Sequence, residues 1–311
     1  MFIQIIIFLL ALSALLLSAK FFTGSAEEIG RFLKLPDFIV GIFIIGIGTS
    51  LPELVAAIIS VSKGVSEVVA GNVMGANISN IFLITGLIAV IHKKDIHLSQ
   101  QYMYIDLHYL VGAFIVFTVI SIDGEIKLAE AVIGILAFFS YSFYLVRSGS
   151  KEYQDKLKER ATHLPIIAFL TLIAASLGIY FGAEYTISAL SKIATMLQIP
   201  PSIIALTALS LGTTLPELAV NIHTIRKGKS EIAIGNVLGS CIFNSLMVTG
   251  LSSFFGNIHV PEALMNFSLP MMCVSGLFFY LLSQDKRLSM WEGMLFVLIY
   301  VLFVLKVTAI A

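Results

Sequence analysis

Charge is scarce in this sequence. Asp, Glu, Lys and Arg make up 12% of 311 residues, against roughly 25% in ordinary soluble domains. Cysteine is nearly absent: Cys241 and Cys273 both sit in apolar runs, so no disulfide framework is available. The chain has no HExxH helix, no glycine-rich phosphate loop and no nucleophile–base pairing, which removes the common hydrolase and nucleotide-binding readings. The apolar N-terminus lacks the basic region of a secretory signal and reads instead as a first membrane span.

What the sequence does have is apolar length. Hydrophobic residues form 58% of the chain, and the mean hydropathy is +0.97. The expected fold is all-α and polytopic, because the apolar runs are continuous and not alternating. Ten spans of roughly 20 residues each fit at 3–19, 37–62, 66–91, 104–121, 127–146, 164–183, 201–225, 231–255, 263–283 and 290–309. The loops after the odd-numbered spans carry 15 of the 19 Lys and Arg, leaving only Lys63, Lys127, Lys192 and Lys306 for the opposite side. The positive-inside rule makes those loops cytoplasmic and both termini extracellular, in a multi-pass plasma-membrane protein. The formal net charge of zero says nothing of partners; the expectation is the lipid bilayer, with no nucleic acid and no protein partner implied.

Sliding the chain along itself reveals a repeat. At a constant offset of 164, "GTSLPELVAAIISVSKGVSEVVAGNVMGANISNIF" lies over "GTTLPELAVNIHTIRKGKSEIAIGNVLGSCIFNSL" with no gap and about half the positions identical. Pro36 then lies over Pro200, and Thr85-Gly86 over Thr249-Gly250. Each copy holds five spans, an odd number, so the second must enter the membrane from the other side. The expected organisation is a first five-helix repeat at 1–146, a cytoplasmic linker at 147–163 and a second, inverted repeat at 164–311. Such repeats place substrate and coupling ions near the midplane, on interrupted helices at their shared interface.

Within each copy the polar residues are spaced for one helical face. Thr49 and Glu53, and likewise Thr213 and Glu217, are i and i+4. Pro52 and Pro216 have no N–H, which frees the carbonyls of Gly48 and Gly212 and bends the helix beside each glutamate. "GNVMG" and "GNVLG" let helices approach closely, and one turn on, Ala76 and Asn80 match Ser240 and Asn244. Packing around a pseudo-two-fold would gather Glu53, Glu217, Asn80, Asn244, Thr49, Thr213, Ser50, Thr214 and Ser240, all oxygen donors. A lone Ser or Thr in a helix more often bonds its own backbone, and a lone Asn can simply join two helices. Duplication argues against that here. Two carboxylates among neutral oxygens suit a hard cation such as calcium, with no His or Cys at ligand spacing to favour zinc or copper. An unpaired intramembrane carboxylate costs at least about 2.5 kcal/mol. One divalent ion, or two or more monovalent ions or protons, would balance the pair.

These motifs, "GTSLPE" with "GNVMGANISN" and "GTTLPE" with "GNVLGSCIFN", resemble the two alpha repeats of sodium/calcium exchangers of the cation/calcium antiporter superfamily, prokaryotic type. The resemblance covers essentially the whole chain. It implies a secondary active transporter, not an enzyme, that exchanges three Na+ for one Ca2+ by alternating access and needs no cofactor. It also implies calcium ligands at Glu53, Glu217, Thr49 and Thr213. Sodium sites would add the carbonyls of Gly46 and Ser210, with Ser50, Thr214, Ser240, Asn80 and Asn244. Spans 1 and 6 would slide over the other eight, with hinges near 18–24 and 182–188. Two departures stand out. Gly75-Ala76 replaces the Gly-Ser of many members, so one hydroxyl is missing, and Asn244 replaces the Asp of some potassium-dependent relatives. The alternatives are a proton/calcium or other divalent-cation antiporter and, from a different class, a cation channel.

Overall fold

A computed structural model describes residues 1–35, 37–93, 95–98, 100–153, 165–196 and 201–310; within these, side chains are left out chiefly at 100–105, 148–153 and 201–213. The described chain forms ten helical segments: α1 Phe2–Phe32, α2 Asp37–Ser62, α3 Glu67–His92, α4 Gln100–Ser121, α5 Leu128–Tyr153, α6 Ile166–Met196, α7 Pro201–Arg226, α8 Ser230–Phe255, α9 Leu264–Asp285 and α10 Met290–Ile310. Eight contain a stretch long and apolar enough to cross a membrane, and the apolar part of α4, Asp106–Ser121, is shorter. Helices are the natural outcome, since a backbone in hydrocarbon must bond to itself.

Burial divides the helices into two kinds. The apolar window of α8 is entirely covered by protein, whereas only 17% of that of α1 is. The inner helices are rich in Gly, Ser and Asn, which permit close approach and bond across it: Asn77 Nδ2 on α3 donates to Ser245 Oγ on α8 at 2.8 Å, and Ser79 Oγ donates to Tyr300 OH on α10 at 3.1 Å. The outer helices turn Leu, Ile and Phe outward, among them Leu9, Leu10, Leu16, Leu170, Leu298 and Leu302. Polar inside and apolar outside is the arrangement lipid requires.

Two features differ from the sequence expectation. α1 and α6 are continuous helices of 31 residues each, well beyond the expected 3–19 and 164–183. Hydropathy falls at Lys20, Glu27, Glu28 and Arg31, but none of these breaks a helix, so α1 runs on to Phe32. The expected hinge stretches 18–24 and 182–188 are ordinary helix here. α1 and α6 pack along one another with Gly182 against Leu15 and Gly178 against Ser18. α5 likewise continues to Tyr153, through the first seven residues of the expected linker; residues 154–163 of that linker lie outside the described residues.

The loops carry an internal correspondence. Gly64 and Gly228, at matching positions after α2 and α7, both adopt positive φ (75° and 73°), the left-handed cap that lets a helix end in a tight turn. Four two-residue strands follow: β1 Ile96–His97, β2 Glu125–Ile126, β3 Ile258–His259 and β4 Arg287–Leu288. β1 pairs antiparallel with β4, and β2 with β3. β3 and β4 lie 162 residues after β1 and β2, so exchanging the halves turns one pairing into the other, as a two-fold axis would. The β1–β4 pair joins the α3–α4 and α9–α10 loops; the β2–β3 pair joins the α4–α5 and α8–α9 loops. Lys229 Nζ reaches Asp37 Oδ2 at 3.0 Å and Glu27 Oε2 at 3.9 Å, while Lys227 reaches Glu27 at 3.7 Å, tying the end of α1 to the α7–α8 turn. Such exposed pairs contribute little stability, about 0–1 kcal/mol each; their value is positional.

The tightest crossing is α2 on α8. A methyl group built on Gly239 would sit 2.6 Å from the Ile42 carbonyl oxygen. Gly239→Leu should therefore lower thermal stability by about 1–3 kcal/mol or prevent folding. Gly24→Ala, with nothing within 4 Å, should leave the melting temperature of the detergent-purified protein unchanged or raise it.

Candidate ion-binding site

The site is built where α2 loses its regularity. α2 opens as α-helix at Asp37–Ile39, widens to a π-helix over Val40–Gly46, makes a short α-turn at Ile47–Thr49, breaks at Ser50 (φ −91°, ψ 3°) and resumes at Leu51 with Pro52 in its first turn. The break falls two residues before the proline and brings Thr49, Ser50 and Glu53 together at the end of one segment and the start of the next. In α7 the matching Pro216 lies inside a continuous helix, so the two copies are not interrupted alike.

Glu53 and Glu217 are 3% and 1% exposed, and each lies close enough to feel the other's charge. Among the described residues, neither is in an ion pair. The Thr49 and Ser50 hydroxyls lie beside the Glu217 carboxylate without closing hydrogen bonds of good geometry: both Glu217 oxygens, Glu53 Oε2 and Ser50 Oγ are buried and unpartnered. Thr214 is buried as well, at 2% exposure.

The Thr49 and Ser240 hydroxyls have acceptors other than the carboxylates. Thr49 Oγ1 donates to Asn236 Oδ1 at 3.3 Å and to the Gly46 carbonyl at 3.4 Å; Ser240 Oγ donates to the same two oxygens at 3.5 and 3.2 Å. Each hydroxyl has one proton and two lone pairs, so committing the protons to Gly46 and Asn236 leaves the lone pairs for a cation. The Gly46 carbonyl, expected as a sodium ligand, is here an acceptor for Ser240. The approach needs Gly46, whose added methyl group would lie 3.1 Å from Ser240 N.

The amide pair sits on a matched distortion. Asn80 lies in the π-helix Ser79–Ile84, and Asn244 opens the π-helix Asn244–Val248. In each, a threonine five residues on donates to the asparagine carbonyl, Thr85 to Asn80 at 3.0 Å and Thr249 to Asn244 at 3.3 Å. Both asparagines are 1% exposed, and Asn80 Oδ1 and both amide atoms of Asn244 are unpartnered. Cys241 faces Asn80 and lies within electrostatic reach of Glu217, which ties α3, α7 and α8 to one centre. π-turns inside α-helices recur at functional sites because they leave backbone groups free.

The structure therefore brings Glu53, Glu217, Thr49, Ser50, Gly46, Ser240 and Asn80 around one buried centre, with Thr214 and Asn244 buried on the same helices. Ser210 and Thr213 lie in α7, but their side chains are outside the described residues. Ala76, 3% exposed, occupies the position matching Ser240 and has no hydroxyl to offer the carbonyl that matches Gly46. Sequence reasoning missed Asn236, which shared a motif with two glycines and was read only as part of a packing pattern. It also missed Asp106, 1% exposed on α4 and accepting a hydrogen bond from Tyr141 OH at 2.9 Å; a carboxylate inside a predicted span was the available signal.

A centre with two unneutralised carboxylates among neutral oxygens can hold cations and little else. The family described as sodium/calcium exchanger protein matches residues 3–147 and 167–309. The chain belongs to the sodium/calcium exchanger family. It is similar to a membrane protein of Methanocaldococcus jannaschii, 29% identical over 95% of each chain, and to the sodium/calcium exchanger MaX1 of Methanosarcina acetivorans, 29% identical over 97% of each. Its fold matches that of the sodium-calcium exchanger NCX_Mj soaked with Na+ and Sr2+, with TM-score 0.82 and 26% identity over 97% of both chains. NCX_Mj soaked with Na+ and Ca2+ matches at TM-score 0.80 and 27% identity, over 96% of this chain and 97% of that one.

Two carboxylates this close repel one another when no cation is bound. Glu53→Gln should raise the melting temperature in chelator-containing buffer, by about 1 kcal/mol or more of stability, while removing any stabilisation by added calcium. Thermal unfolding in detergent, with and without calcium, measures both. Asn236→Ala should have the opposite effect in ion-free buffer, because the Thr49 and Ser240 hydroxyls lose an acceptor.

Proposed function

We propose that this chain is a secondary active transporter that exchanges Na+ for Ca2+ by alternating access, electrogenically, with three sodium ions for one calcium. The observation that carries the reading is the buried Glu53–Glu217 pair, without a protein counter-charge and surrounded by unpartnered hydroxyl and amide oxygens. One calcium ion neutralises two carboxylates, and so do two sodium ions. Ions that compete for one pair of charges cannot occupy it together, which is the physical basis of exchange. A third sodium ion adds a net charge to each cycle and needs ligands outside the shared pair, the Gly46–Ser240 side being one candidate region. Ala76 leaves the opposite side a hydroxyl short, so a sodium ion on that side is held more weakly than one on the Gly46–Ser240 side.

The halves 1–146 and 164–311 are inserted in opposite senses around a pseudo-two-fold axis, with 147–163 as the cytoplasmic linker. The exchanged strand pairings and the two-part family match support this. The face that carries Glu27, Asp37, Lys227 and Lys229 is cytoplasmic and both termini are extracellular, in the plasma membrane; the Lys/Arg asymmetry supports this orientation.

Calcium uptake into vesicles of purified protein tests the reading. With sodium inside, an outward sodium gradient should drive uptake, and a membrane potential should change its rate. Potassium and proton gradients, imposed separately, should not substitute; a flux that follows pH without sodium would make the protein a proton antiporter, and current without a counter-ion would make it a channel. Glu53→Gln and Glu217→Gln should each abolish exchange, by about 100-fold or more, as expected where a carboxylate in a dry site is the direct ligand, with membrane insertion intact by protease protection.

A further inference from the structure

Asn221 has no role in the centre described above. It lies on α7 one turn beyond Glu217, is fully buried, and has no hydrogen-bond partner at either Oδ1 or Nδ2. A buried amide left wholly unpaired is costly and implies an occupant with which it is paired. Residues i and i+4 of a helix lie on one face with their Cβ atoms roughly 5–6 Å apart, so a single ion can contact Glu217 and Asn221 together. Both Glu217 oxygens are unpartnered, leaving that carboxylate free to be shared between the centre and a second position.

The row continues in one direction only. Thr224, 0% exposed, is next on the same face, and its proton is committed to the Val220 carbonyl at 2.8 Å, again leaving lone pairs outward. Beyond it lies the turn of Lys227 and Lys229, paired with Glu27 and Asp37. In the first half the matching row is Glu53, Ala57 and Ser60, and Ala57 is buried in an apolar cluster with Val61. One half therefore has an amide where the other has a methyl group, although the preceding LPEL and the isoleucine that follows are duplicated.

We propose that Asn221 and Glu217 form an outer cation position, between the central site and the face carrying Lys227 and Lys229, that holds a partly hydrated sodium ion entering or leaving on that side. Asn221 Oδ1 supplies a neutral oxygen ligand, and Nδ2 donates to a water that travels with the ion. A single carboxylate with neutral oxygens matches one monovalent charge, whereas calcium needs the second glutamate. The position gives sodium a staged dehydration on one face that the other face lacks. This inference rests on the exchanger reading.

The test is the sodium concentration for half-maximal calcium flux, measured separately from each face in oriented vesicles. Asn221→Ala should weaken sodium about fivefold at the Lys227/Lys229 face, the scale of one neutral ligand. It should leave the opposite face and the half-saturating calcium unchanged. Asn221→Ser, which keeps an oxygen, should fall between wild type and Ala; if the Ala variant fails to insert, Asn221→Ser and Asn221→Thr carry the same measurement. No shift at either face, or an equal shift at both, overturns the outer position while leaving the exchanger reading intact. A wild-type flux without sodium dependence overturns the exchanger reading, and this one with it.

Discussion

Two negative charges held together in a low-dielectric interior, with no positive side chain beside them, set the terms for everything else in this protein. Two like charges roughly 4 Å apart repel by about 4 kcal/mol at an effective dielectric constant near 20. The fold must therefore hold the pair against that repulsion when ions are absent. It does so with backbones in near contact: Gly41, Gly235 and Gly239 bring α2 onto α8 at a spacing that no side chain would allow.

The π-turns follow from the same demand. A regular α-helix uses every internal carbonyl and points its side chains at fixed 100° steps. Each extra residue in a turn resets that step and releases a backbone group, and Thr85 and Thr249 then satisfy the released carbonyls of Asn80 and Asn244 from within the helix. Asn80 Oδ1 and both side-chain amide atoms of Asn244 are left unpartnered. α2 achieves a similar release with a break at Ser50, while α7 keeps its helix intact around Pro216. Equal sequences at this point have not produced equal backbones.

Much of this was legible in the sequence because membrane burial and duplication leave strong patterns. Apolar run length gave ten helices, and the offset of 164 picked out Glu53 with Glu217 and Asn80 with Asn244 without reference to any structure. Other features left weaker patterns. Hydropathy marks where lipid ends and not where a helix ends, so α1 and α6 exceeded their expected limits once Lys20, Glu27 and Glu184 were accommodated on continuous helix. Asn236 was hidden because its motif had a sufficient explanation in its glycines, and only the two hydroxyls meeting on its Oδ1 reveal its part. Asn221 escaped because duplication was the filter, and a residue present in one copy alone passes through it.

The two strand pairings show how the molecule is held together across its halves. Each joins a loop of one repeat to a loop of the other, so α3, α4, α5, α8, α9 and α10 are sewn into one frame by main-chain bonds at both membrane surfaces. Neither α1 nor α6 borders a sewn loop. They touch one another along glycine-lined contacts, and Leu15, Ala19, Phe22 and Ala26 of α1 pack in one apolar cluster with Val40 and Ile45 of α2 and Val220 of α7, with the Glu27 ion pairs at the far end of α1. The molecule is thus a stitched frame with a pair of rails laid across it, and apolar side chains and two half-buried ion pairs hold the rails where no stitch does.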